Sequence, residues 1–249
     1  MRVLVGLGIV VIACAAYAWF FGIRTFYVWE TRRAALKEPF LWTTPIQISD
    51  LSLSQAPGQK LSYFGYEFEV PWEDIAREKS RVLGPNMAII VFWSGNAVSF
   101  WSGLPNGLVS KLAADGKIDP RYLAQVFGNE SVQSDYAFQR AILETTPGKF
   151  SVLIAKRRAI QLGTLFEMKA TTLRPGAESG VFSIRTKEFE GFQYGRPQSP
   201  SNRLSVELFA SDGHADTIFG QKLNRSIAIS QADVNRMVQS IHKTDPNSH

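Results

Sequence analysis

With 249 residues, 45% of them hydrophobic and 20% charged, the chain can build one well-cored domain or two small ones. Lys and Arg exceed Asp and Glu by 27 to 22, a modest excess spread along the chain, and no nucleic-acid partner is expected. The one cysteine, Cys14, sits in an apolar run near the start, so disulfides, thiolate metal sites and cysteine nucleophiles are excluded from the rest.

Val3 to Ile23 is uninterrupted and uncharged, bounded by Arg2 and Arg24. As a helix, such a run spans roughly 31 Å, the thickness of a bilayer core. The aromatic residues Trp19, Phe20, Phe21, Phe26, Tyr27 and Trp29, then Arg32, Arg33 and Lys37, suit a membrane boundary. The run predicts a transmembrane anchor with Arg2, Arg24, Arg32 and Arg33 as its flanks, and a lipid-bilayer partner for residues 3–23. Two cleavage readings compete with it. Ala16-Tyr17-Ala18 fits a signal-peptidase site, and Val11-Ile12-Ala13-Cys14 loosely fits a lipobox. Both leave a mature start that is still greasy through Trp19-Phe20-Phe21, which favours the uncleaved anchor. The expected location is a bacterial inner membrane. The basic residues after the run argue for a cytoplasmic domain, whereas a short anchor ahead of one domain argues for export; the second argument is preferred.

The expected division is an anchor over 1–23, a juxtamembrane linker over 24–44, a globular domain over 45–243 and a frayed tail over 244–249. Ile46 to Leu53 reads as a first strand. Tyr66-Glu67-Phe68-Glu69-Val70 alternates apolar and acidic residues, the period-2 pattern of a half-buried strand, and Pro71 ends it. Trp72 to Ser80 reads as a short polar helix. Met87–Trp93 and Ala97–Trp101 flank Ser94-Gly95-Asn96 and predict a hairpin. Helices follow from Asn106, from Asp119-Pro120 and from Ser134-Asp135. Val152, Ala155, Ala159, Leu162 and Phe166 recur at helical spacing. Strands are expected over Lys169–Leu173, Val181–Thr186 and the Phe189–Tyr194 stretch. Leu204–Ala210 and Thr217–Leu223 predict a hairpin, and Ser230 caps a final helix with Val234, Met237, Val238 and Ile241 on its apolar stripe. The sum is α+β: a mainly antiparallel sheet packed by helices.

The strand Tyr66–Pro71 with Trp72 after it, and the closing helix ending Val238-Gln239-Ser240-Ile241, resemble domains of the Mog1/PsbP-like group. That resemblance implies an antiparallel sheet between helices and a mostly non-enzymatic role in binding or assembly. It carries over no functional residue.

Asp212, His214 and Asp216 form the one metal-binding candidate, since spacing two places them on one strand face. Ser211-Asp212-Gly213 is also a turn signal, which places such groups in solvent and is the preferred reading. Glu67 and Glu69 read as a solvated sheet face, and Lys156-Arg157-Arg158 as a solvated helix face. Gly-x-Ser-x-Gly and a phosphate loop do not occur. Trp93 and Trp101, with Phe92 and Phe100, are a possible binding surface or else sheet packing. No cofactor is expected. The preferred function is a membrane-anchored, non-catalytic module that binds a protein or envelope component. The alternative is a membrane-anchored metal-dependent hydrolase using Asp212, His214 and Asp216.

Overall fold

The computed structural model describes residues 2–18, 22–103, 134–149, 156–173, 180–197, 203–210, 215–222 and 229–244. The helices expected from Asn106 and Asp119 lie outside the described residues.

Among the described residues, the N-terminal run contributes one helix and the start of a second. Helix α1 (Arg2–Tyr17) has 16 residues, a length of about 24 Å against about 30 Å of hydrocarbon. Helix α2 (Ile23–Lys37) carries Arg24, Glu30, Arg32, Arg33 and Lys37. No helix among the described residues is long and apolar enough to cross a membrane. The transmembrane helix expected over residues 1–23 is therefore corrected: among the described residues α1 is too short, and α2 too charged, to cross a membrane. Residues 24–44, expected as a linker, hold α2 and a 3-10 turn at Pro39–Trp42. Val28, Ala35 and Leu41 from this stretch pack on Leu162 and Phe166.

The domain beyond is α+β, with strands numbered here in chain order. Among the described residues the main sheet contains β1 (Ile46–Gln47), β4 (Arg81–Leu83), β5 (Met87–Val91), β6 (Asn96–Ser102), β7 (Val181–Arg185), β8 (Phe189–Tyr194), β9 (Arg203–Ala210) and β10 (Ala215–Lys222). Its order is β1-β7-β8-β9-β10-β6-β5-β4. The pairs are antiparallel except β1 with β7. A smaller sheet holds β2 (Gln59–Tyr63), β3 (Tyr66–Val70) and β11 (His242–Lys243), in the order β11-β3-β2. Phe64 and Gly65, both at positive φ, close the tight β2–β3 hairpin.

Alternation sorts the strands onto two faces. Phe68, Val70, Ile90, Phe92, Val98, Phe100, Val206 and Leu208 enter the largest core with helix α5 (Gln231–Ser240), which contributes Val234, Met237 and Val238. Full burial of such side chains stabilises by about 1.5–3 kcal/mol each. Val181, Phe192, Tyr194 and Phe209 point to the opposite face. There they meet Leu143 of α3 (Asp135–Leu143) and Leu173 of α4 (Lys156–Leu173).

Three expected elements differ. Lys169–Leu173 is the last part of α4 and not a strand, because the spacing of Leu162, Leu165, Phe166, Lys169 and Leu173 keeps one buried helical face running. Trp72–Ser80 is a bend and turn with an isolated bridge from Ile75 to Phe92, and not a helix. Pro71 opens it, and the backbone donors of Ala76 and Trp93 are satisfied across the segment by Val91 and Asp74 carbonyls. Within Ile46–Leu53, only Ile46 and Gln47 pair as a strand.

Candidate functional site

The residues singled out from sequence are scattered. Asp216 lies in β10, in register with Ser102 and Leu208; Asp212 and His214 lie outside the described residues. Among the described residues no group of three His, Cys, Asp or Glu could hold a metal ion. Trp101 stands opposite Met87, at the far end of the β5–β6 hairpin from its turn. Trp93 follows β5, six residues on from Met87, or about 20 Å along the strand. The two indoles therefore do not form one patch. Trp93 is 59% exposed and carries Lys79 Nζ over its ring at 4.3 Å. Glu67 is 3.4 Å from His242 and 3.9 Å from Lys60, and Glu69 is 3.1 Å from Arg236. Both carboxylates belong to polar pairs on the smaller sheet.

Two buried polar groups were missed by sequence reading. Tyr194 donates to Glu207 Oε2 at 2.6 Å and accepts from Gln139 Nε2 at 2.7 Å. Burial pushes the Glu207 carboxyl above its ordinary range, against a smaller lowering by the Tyr194 hydrogen bond. Burial, then the adjacent carboxylate, pushes the Tyr194 hydroxyl well up. The second group is Lys169, fully buried on α4. Its Nζ donates to the carbonyls of Thr43, Leu143 and Thr145 at 2.6, 2.9 and 2.7 Å. An ammonium has three donors, so this set saturates it. Burial, with a smaller contribution from Lys149, lowers its pKa to about 8. Leu143 is the last residue of α3 and Thr145 lies just beyond its C-cap, so Lys169 satisfies a carbonyl that the helix end leaves without a partner and one in the turn after it. These groups hold α3, α4 and the segment after α2 together.

The most unusual surface is at the N-terminus. Val10, Val11, Ile12 and Tyr17 on α1 are 60%, 59%, 70% and 58% exposed. Cys14 is exposed on the same helix, which has no charged residue after Arg2. On α2, Val28 and Ala35 face the body while Phe26, Trp29 and Leu36 are exposed. Lys37 lies in the last turn, where a cation complements the helix dipole, and Pro39 opens the following 3-10 turn. Arg33 stands 5.1 Å over the Trp29 ring and 3.8 Å from Glu30. Helix ends, aromatic rings and cations are thus arranged as an apolar surface with a basic margin.

Compared with known proteins, the chain matches no family model, no curated protein and no solved structure.

Proposed function

We propose that the protein is a non-catalytic binding or assembly module held against a lipid bilayer by its apolar N-terminal residues. The observation that carries this reading is α1. Every residue from Val10 to Ala18 is exposed, and none of them is charged. Such a helix is stable in water only at a cost, so it calls for an apolar partner. Lipid fits because α2 continues the chain with exposed aromatic and basic residues, the composition of a membrane–water boundary.

Binding is preferred to catalysis because the buried, perturbed groups Tyr194, Glu207 and Lys169 are engaged in hydrogen bonds inside the fold. The resemblance to the Mog1/PsbP-like group points the same way. Flotation of the full chain with phosphatidylcholine vesicles tests the reading. Wild type is expected to float, and the Val10→Asp/Ile12→Asp double variant to stay at the bottom. A wild type that stays at the bottom with vesicles of every composition would sink the proposal.

A further inference from the structure

We infer that the outward face of α2 is a docking surface for anionic lipid headgroups; this rests on the bilayer reading above. Helix α2 packs in an unexpected sense. Among the described side chains of α2, the two turned to the body, Val28 and Ala35, are small, and they lie seven residues apart on one face. The larger ones point away: Phe26 is 63% exposed, Trp29 52% and Leu36 76%. At 100° per residue, Phe26, Trp29, Arg33, Leu36 and Lys37 fall within about a third of the helix circumference, opposite Val28 and Ala35. An ordinary surface helix turns its large apolar residues inward.

Charge selects the occupant. On and beside this face three exposed cations, Arg32, Arg33 and Lys37, stand against one carboxylate, Glu30. The carboxylate is paired with Arg33, whose guanidinium also lies over Trp29. Arg33 therefore holds an exposed guanidinium beside an indole, a group suited to phosphate oxygens. A second copy of this chain would bring the same excess of cations to the contact and be repelled. A bilayer with anionic headgroups complements it, and α1 enters the same surface through direct chain continuity. Aromatic rings at headgroup depth with Lys and Arg beside them are what such a surface accepts.

The test is vesicle binding of the full chain, with pure phosphatidylcholine compared with mixtures containing phosphatidylglycerol. The inference expects the partition coefficient to rise at least roughly tenfold in the mixtures and to fall back with high salt. Phe26→Ala/Trp29→Ala and Arg33→Gln/Lys37→Gln should each remove most of that rise while leaving the thermal unfolding of the domain in place. Equal binding to neutral and anionic vesicles would overturn the inference and leave the bilayer reading standing. Binding to neither would overturn both. Variants that bind like wild type would show that α2 does not make the contact. Variants that convert a dimer to a monomer with vesicle binding unchanged would assign the face to a second copy and overturn the inference.

Discussion

The Tyr194 hydroxyl reaches the Glu207 carboxylate across 2.6 Å, from a neighbouring strand on the face of the main sheet that α3 and α4 cover. The pair is diagonal, since Tyr194 is in register with Ser205 and Glu207 with Phe192. Gln139 reaches down from α3 to the same hydroxyl, so one oxygen joins two strands and a helix. Tyr194→Phe removes that oxygen and leaves two polar partners without it. The expected loss is about 1–3 kcal/mol, read from urea unfolding at neutral pH.

The same carboxyl sets a pH dependence. Its folded pKa lies above the ordinary 4.5, so the folded state holds the proton more tightly than the unfolded chain. The related stability is complete below pH 4.5 and declines as pH rises through the folded pKa. Glu207→Gln should flatten this part of the stability curve. If wild type and variant run parallel from pH 4 upward, burial of Glu207 does not matter energetically.

Lys169 has the opposite slope. Its pKa falls from 10.5 to about 8 on folding, so the unfolded chain binds more protons between these values. Stability should rise with pH across that window, by at most about 3 kcal/mol. Lys169→Met should lose this rise and, by leaving three carbonyls without a donor, unfold at lower urea than wild type at neutral pH. Chemical unfolding of both proteins at pH 7.5 and 10 supplies the comparison.

Gly191 fixes the approach of β8 to β9. A Cβ there would meet the Glu207 carbonyl oxygen at 1.9 Å, a contact that only movement of the sheet backbone could relieve. Gly191→Ala is expected to cost about 3 kcal/mol or more, seen as a lower melting temperature, because two central strands must separate.

Ser230 opens α5 with a reciprocal cap. Its Oγ accepts from the Asp233 amide at 3.1 Å, and the Asp233 carboxylate accepts from the Ser230 amide at 2.9 Å. Ser230→Ala should destabilise by about 1 kcal/mol, and Ser230→Asp should restore most of it. Thermal unfolding of the three proteins distinguishes a cap from a residue that is merely near a helix.

Local patterns were legible in the sequence wherever a single element carries its own signal. The alternation of Tyr66–Val70, the apolar runs around Ser94-Gly95-Asn96 and the caps at Ser134 and Ser230 each match a described element. What depends on register was not legible: Tyr194 and Glu207 meet only because β8 pairs with β9 in one alignment. Lys169 was hidden by a strand reading, although continuing the three- and four-residue spacing from Leu162 and Phe166 would have placed it on a buried face. Phe26, Trp29 and Arg33 were visible as a boundary composition, but their common direction on α2 became clear only once Val28 and Ala35 were seen to face the body.

Strand β3 draws its partners from both ends of the domain. It pairs with β2 just before it and with β11 at Tyr66–Lys243 and Glu67–His242, while Asn235 of α5 donates to the carbonyls of Asp50 and Ser52. During synthesis, the early strands must therefore wait for nearly the whole chain to leave the ribosome before their core can close. A nascent chain halted before residue 229 would carry β3 with its apolar face uncovered by α5. Removing the last helix should trap the protein as an aggregation-prone intermediate, and not as a smaller folded domain.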